Sequence, residues 1–206
     1  MKILSVDPGR SSAGIAVIEP KRLEAFRFRT KKVKHEALGD FLLWMIEVVD
    51  RERPNLAFVE DYLYGIKRTS TLTQVAEVGG IARGVFASRG VPVIAVPVQT
   101  WKSLTIGNLP KGTKAKNDAY CASVESRYGM RFGSTDEADA FLIYQAMRSI
   151  WKNRGISGNT NRRLREELAA VLEKYGEGRE SGNGEGIRSV PAPVAGGIRE
   201  DEEADE

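Results

Sequence analysis

Four carboxylates fall where chemistry could be done. Asp7 ends the apolar stretch 2–7 just before Pro8-Gly9, and Glu60 ends a second apolar run, 55–60. Asp136 and Asp139 open a third segment, Thr135-Asp136-Glu137-Ala138-Asp139-Ala140-Phe141. An acid at the tip of an apolar strand is costly to bury unless it is paired or bound to a metal. Plainer roles exist for some of them: Asp7 as the cap of its own turn, Asp136 as an acid favoured by the dipole in a helix's first turn. Helical spacing nonetheless puts Asp136 and Asp139 on one face with Cβ atoms about 5–6 Å apart, while Glu137 points about 100° away. The alanines on both sides of Asp139 signal a close approach to something. Four converging carboxylates without histidine or cysteine make an all-oxygen site, suited to Mg²⁺ or Mn²⁺. Two such ions about 3.5–4 Å apart can clamp the attacking and leaving oxygens of a phosphodiester, with no need for a histidine base. His35, the sole histidine, reads as solvated, and Cys121, the sole cysteine, as a small core residue.

The elements that must position these acids follow from periodicity. Stretches 2–7, 13–18 and 23–28 read as an antiparallel meander. Leu38, Phe41, Leu42, Met45 and Val49 form the stripe of an amphipathic helix, stopped by Pro54. Residues 55–60 and 92–97 read as two further buried strands, with a helix over 70–88 between them and a short helix over 98–104 after them. The segment 107–116 reads as a loop carrying Lys111, Lys114 and Lys116. Helices are expected at 114–127, at 135–151 with Ser134 or Thr135 as N-cap, and at 162–175, with Leu164, Leu168, Val171, Leu172 and Tyr175 on one face. Strands first as a meander and then alternating with helices imply an α/β fold, a mixed sheet flanked by helices.

At 206 residues the chain suits one core better than two. No apolar run approaches the roughly 18 residues needed to cross a bilayer, and one cysteine rules out an intramolecular disulfide or a thiolate zinc site. The expected home is a reducing cytoplasm, with no membrane partner. Nine acids and three arginines from Glu177 to Glu206 give a balance of −6, which leaves +9 on residues 1–176 of a chain whose net charge is +3. A basic body favours a polyanionic partner. Arg148 and Lys152 begin a second basic cluster, continued by Arg154, Arg162, Arg163 and Arg165, which either tracks a phosphate backbone or is a solvated helix end. The Gly-, Pro- and Glu-rich tail 177–206 is expected to be disordered.

The ordered set of motifs carries a resemblance. Asp7-Pro8-Gly9 followed by Gly14, the strand-end Glu60, the segment Val96-Pro97-Val98-Gln99-Thr100-Trp101-Lys102, and Asp136-Glu137-Ala138-Asp139-Ala140 resemble the RuvC-type Holliday-junction resolvases over about residues 1–150. The resemblance implies a ribonuclease-H-like five-stranded mixed sheet flanked by helices, a homodimer, and metal-dependent nicking of symmetrical strands at a four-way DNA junction. It carries the metal-binding role onto Asp7, Glu60, Asp136 and Asp139. Family members commonly place a wedge aromatic a few residues past the second acid, where this chain has Tyr62 and Tyr64. The family's lysine-bearing segment is stretched here as 107–117, with Asn117 where a lysine is expected, so that Lys114 and Lys116 are the candidates for transition-state assistance. Both departures suit a divergent, phage-encoded member acting on a wider range of branched DNA.

The sequence therefore predicts a nuclease domain over 1–151, a basic linker and extra helix over 152–176, and the acidic tail beyond. Its expected activity is that of a Mg²⁺-dependent endodeoxyribonuclease using two ions per site, with Mn²⁺ as a substitute. Lys102, Lys111, Lys114, Lys116, Tyr62, Tyr64, Arg148 and Lys152 would contact DNA. The alternatives are a protein that binds branched DNA without cutting it and an RNA-processing nuclease of the same superfamily. Sugar kinases and actin-like ATPases also open on Asp-x-Gly-x₄-Gly, but they need two such domains, and this length supplies one.

Overall fold

The computed structural model describes residues 1–61, 69–106, 114–152 and 158–176. Three strands open the chain, β1 (Ile3–Asp7), β2 (Ser12–Glu19) and β3 (Arg22–Arg29), and pair antiparallel as a meander. Helix α1 (Lys34–Glu52) follows, then β4 (Leu56–Asp61), α2 (Thr69–Ser88), β5 (Val93–Pro97) and α3 (Val98–Thr105). Three more helices complete the described chain: α4 (Lys114–Tyr128), α5 (Thr135–Lys152) and α6 (Asn159–Gly176). The sheet order is β3-β2-β1-β4-β5, with β4 parallel to both β1 and β5. Mixed pairing of this kind puts β1 at the centre.

Period-two alternation sorts the strands onto two cores. Leu4, Val6, Ile15, Val17, Ala57 and Val59 face α1 and α2, whereas Ile3, Ile18, Leu56, Phe58, Ile94 and Val96 face α5. Asp7 and Glu60 share parity with the second set, so both point to the α5 side. The α5 helix is buried on several sides, from Ala138 through Ile150, because it lies on the sheet beneath α3, α4 and α6. Ser134 caps it: the Glu137 amide donates to Ser134 Oγ at 3.3 Å, and Glu137 reaches back to accept from the Gly133 amide at 2.8 Å.

Gly14 decides how close that helix can come. A Cβ on Gly14 would stand 1.9 Å from the carbonyl oxygen of Asp136 and 2.8 Å from the amide nitrogen of Glu137. Only glycine lets the first turn of α5 rest on β2 here.

Three expectations need correction. Leu42 is exposed, because α1 turns Phe41, Met45, Val48 and Val49 inward and leaves Leu42 and Leu43 on the rim. Cys121 is half-buried and outside both cores, since α4 rests on the body through Val124 and Tyr120 instead. Residues 92–97 do not form a fully buried strand: β5 is the sheet edge, and only Ile94 and Val96 are buried.

The last helix docks on the body. Leu164 and Leu168 are buried in the α5-side core, Val171 and Leu172 pack partly against it, and Arg165 Nε donates to the Ile150 carbonyl at 3.1 Å near the end of α5. At the opposite end of the sheet Glu52 is buried to 4% exposure. Burial alone would raise its pKa, but hydrogen bonds from Arg22, Arg51 and Lys2 outweigh that and hold it at about 2. The clamp fixes the C-terminus of α1 to β1 and β3. The tail beyond residue 176 lies outside the described residues.

Candidate active site

The strand register brings the first two acids together. Val6 pairs with Val59 across the parallel β1–β4 ladder, so Asp7 and Glu60 follow on adjacent strands about 5 Å apart. Asp7 also pairs with Gly14, on which α5 rests, and this delivers Asp136 and Asp139 from above. All four acids are half-buried.

Their ionisation shows that three of them share one field. Asp7 is raised well above the carboxylate range, first by burial and then by the charges of Glu60, Asp139 and Asp136, with Lys102 opposing. Glu60 is pushed up to about 7, chiefly by burial, although Lys102 and a hydrogen bond from Trp101 pull it down. Asp139 is raised to about 6, again chiefly by burial. Like charges held together in a poorly solvated place resist ionising together.

Each acid except Asp7 has a named protein donor. Trp101 Nε1 donates to Glu60 Oε2 at 2.8 Å, the Tyr120 hydroxyl donates to Asp139 Oδ1, and Asp136 Oδ2 accepts from Ser12 Oγ and pairs with Arg27 Nε at 3.0 Å. With these partners in place, no three His, Cys, Asp or Glu side chains among the described residues stand at metal-holding spacing. The donor chemistry nevertheless fits a hard divalent cation: the acids offer only oxygen, and a cation would relieve the mutual repulsion that raises them.

The other residues singled out from sequence divide unevenly. Lys102 lies on α3, its Nζ 4.8 Å from the centre of the Trp101 ring, and its charge lowers Asp7, Glu60 and Asp139. Lys114 and Lys116 fall in the first turn of α4, but their side chains lie outside the described residues, as do Tyr62, Tyr64 and Lys111. Arg148 is half-buried on α5 and Lys152 is exposed at its end, both away from the acids by two turns or more of helix. Arg162 and Arg163, from the same basic cluster, engage Glu166 and Glu167 one turn on.

Trp101, Tyr120, Ser12 and Arg27 were not assigned a part from sequence. A buried tryptophan needs an acceptor for its N–H, so Trp101 beside Lys102 was the readable signal. Arg27 shares strand parity with Leu23 and Ala25, which pack on the α5-side core, and a cation on such a face implies an acid opposite. Nothing in the spacing of Tyr120 marks its reach to Asp139.

No family model matches the chain. It is 30% identical over 152 residues to a crossover junction endodeoxyribonuclease RuvC of Prochlorococcus marinus, a match spanning 69% of this chain and 93% of that relative. The chain belongs to the RuvC family of junction-resolving endonucleases. A second RuvC, from Carboxydothermus hydrogenoformans, is 28% identical over 119 residues, 54% of this chain and 75% of that protein. In fold, the chain is similar to T. thermophilus RuvC in complex with a Holliday junction substrate, with a TM-score of 0.56 at 22% identity, over 72% of this chain and 93% of that one. A second Thermus thermophilus RuvC structure gives a TM-score of 0.53 at 21% identity over the same shares. The mixed five-stranded sheet with its helices is thus the RuvC, ribonuclease-H-like arrangement. No described helix is long and apolar enough to cross a membrane.

Proposed function

We propose that the protein is a divalent-metal-dependent, structure-specific endonuclease that nicks phosphodiester bonds at four-way DNA junctions and accepts other branched DNA. The observation that carries this reading is the shared field of Asp7, Glu60 and Asp139, three acids from two strand ends and one helix in a chain of the RuvC family. Asp7, Glu60 and Asp139 would hold the metal, Mg²⁺ or Mn²⁺, and Asp136 would complete the site or orient water. Two bound ions would supply charge neutralisation at the scissile phosphate and a nucleophile at neutral pH. Trp101 and Tyr120 hold Glu60 and Asp139 in orientation by donating to one oxygen of each. Lys102 supplies a fixed positive charge beside the acids, where it favours their ionised forms and a phosphate of the scissile strand. Lys114 and Lys116 on α4 would assist as charge develops on the phosphate. Two copies of the chain would act together on symmetrical strands.

The test is a cleavage assay in Mg²⁺ on labelled four-way junction, flap, fork, linear duplex and structured RNA, with Asp7→Asn alongside. Paired nicks on the junction, lost in Asp7→Asn while junction binding persists, are expected. Junction binding without cleavage in either metal would move the protein to the recognition reading, and cutting confined to RNA would move it to the RNA-processing one.

A further inference from the structure

Among the described residues, Asp136 is the one acid of the four in an ion pair with a basic side chain. The pairing is built into the strand register. Arg27 on β3 faces Gly14 on β2, Gly14 faces Asp7 on β1, and the first turn of α5 lies on Gly14, so the arginine reaches Asp136 across the residue that has no side chain. Arg27 Nε donates to Ser12 Oγ at 2.9 Å and stands 3.0 Å from Asp136 Oδ2 as an ion pair, while Ser12 Oγ donates to the same Asp136 oxygen. One carboxylate oxygen thus takes both a guanidinium and a hydroxyl. The pair is about one quarter exposed at each end, and a guanidinium does not lose its proton.

We propose that Arg27, seconded by Ser12, is a positioning residue that sets the divalent-ion affinity of the site by acting as an internal counter-ion to Asp136. This rests on the metal-dependent reading above. Asp136 can offer Oδ2 to an ion only when Arg27 and Ser12 release it, and the guanidinium's own charge repels a cation from that side. Both effects weaken metal binding. Asp7, Glu60 and Asp139 have no such ion pair among the described residues and so carry no internal counter-ion of this kind.

Calorimetric titration of the metal-free full chain with Mg²⁺ and with Mn²⁺ tests this, using wild type, Arg27→Gln, Arg27→Lys, Ser12→Ala and Asp7→Asn, each with its melting temperature in EDTA. Removing a competitor of this exposure should tighten Mg²⁺ binding roughly tenfold in Arg27→Gln. Arg27→Lys, which keeps the charge but not the fork, should lie between. Ser12→Ala should tighten binding by about tenfold, the low end of the worth of one donor to a charged acceptor, and decides the matter should Arg27→Gln fail to fold. A residue with only a structural part would lower the affinity together with the melting temperature, so an affinity that is unchanged or weaker overturns the proposal. Wild type that takes no metal, or Asp7→Asn that takes it equally well, removes the metal-dependent reading and this proposal with it. Wild-type binding lost in Asp7→Asn, with Arg27→Gln and Ser12→Ala both unchanged, removes the Arg27 proposal alone.

Discussion

Trp101→Phe isolates one hydrogen bond. The indole is fully buried on α3, and its N–H donates to Glu60 Oε2 at 2.8 Å. Phenylalanine keeps an aromatic ring in the core and deletes the donor. Burial raises Glu60 most, Lys102 and then Trp101 bring it down, and the balance stands at about 7. A hydrogen bond to a charged acceptor is worth about 1.5–3 kcal/mol, or about 1–2 pKa units, so Glu60 in the variant should titrate at about 8–9. At pH 7 its ionised fraction then drops from about one half to between about 10% and 1%. A divalent ion needs the carboxylate, so Mg²⁺ affinity at pH 7 should fall about fivefold to fiftyfold, and the deficit should shrink to about twofold or less by pH 9. Calorimetric Mg²⁺ titrations from pH 6.5 to 9 measure this directly. A deficit that stays constant with pH would show that Trp101 acts through packing, and no deficit at all would remove Glu60 from the ligand set.

Four further outcomes follow from the structure. Glu60 and Asp139 have folded pKa values, about 7 and about 6, above their ordinary 4.5 and 3.8, so the folded state holds extra protons between those limits and metal-free stability should fall as pH rises through that window. Asp7→Asn removes one of the repelling charges and should raise the metal-free melting temperature at pH 8 by about 2–4 °C per kcal/mol relieved, with the gain fading toward pH 4 in calorimetric scans. Gly14→Ala puts a methyl group 1.9 Å from the Asp136 carbonyl oxygen, a backbone atom that cannot rotate aside. It should cost about 1–3 kcal/mol or more in denaturant titration and abolish junction cleavage by shifting α5. Leu164→Ala, at a site with no exposed surface, should cost about 2–5 kcal/mol by denaturant titration if α6 is part of the fold, whereas a loss below about 1 kcal/mol would make it an appendage.

The strands and helices were legible because their signals are local. The unbroken apolar runs of β1 and β2, the alternation in β3, the stops at Pro54 and Pro8-Gly9, and the small residues around Asp139 each state a burial requirement that the fold has to meet. Where local reading failed, a neighbour decided. Leu42 belongs to the apolar stripe by spacing and is exposed because α2 covers the other side of α1. Cys121 is apolar enough for a core, yet α4 touches the body through Tyr120 and Val124.

The site divides along the same line. From sequence alone came the α/β class, the grouping of Asp7, Glu60, Asp136 and Asp139, and the oxygen-only chemistry they imply, because carboxylates ending apolar stretches advertise an unmet charge wherever the chain goes. What each acid is bonded to came only from the tertiary structure. Trp101 lies 41 residues from Glu60, Tyr120 lies 19 from Asp139, and Ser12 lies 124 from Asp136. Such donors are chosen by sheet register and by the approach of α5 to Gly14, and no periodicity within a single element encodes a contact between two of them.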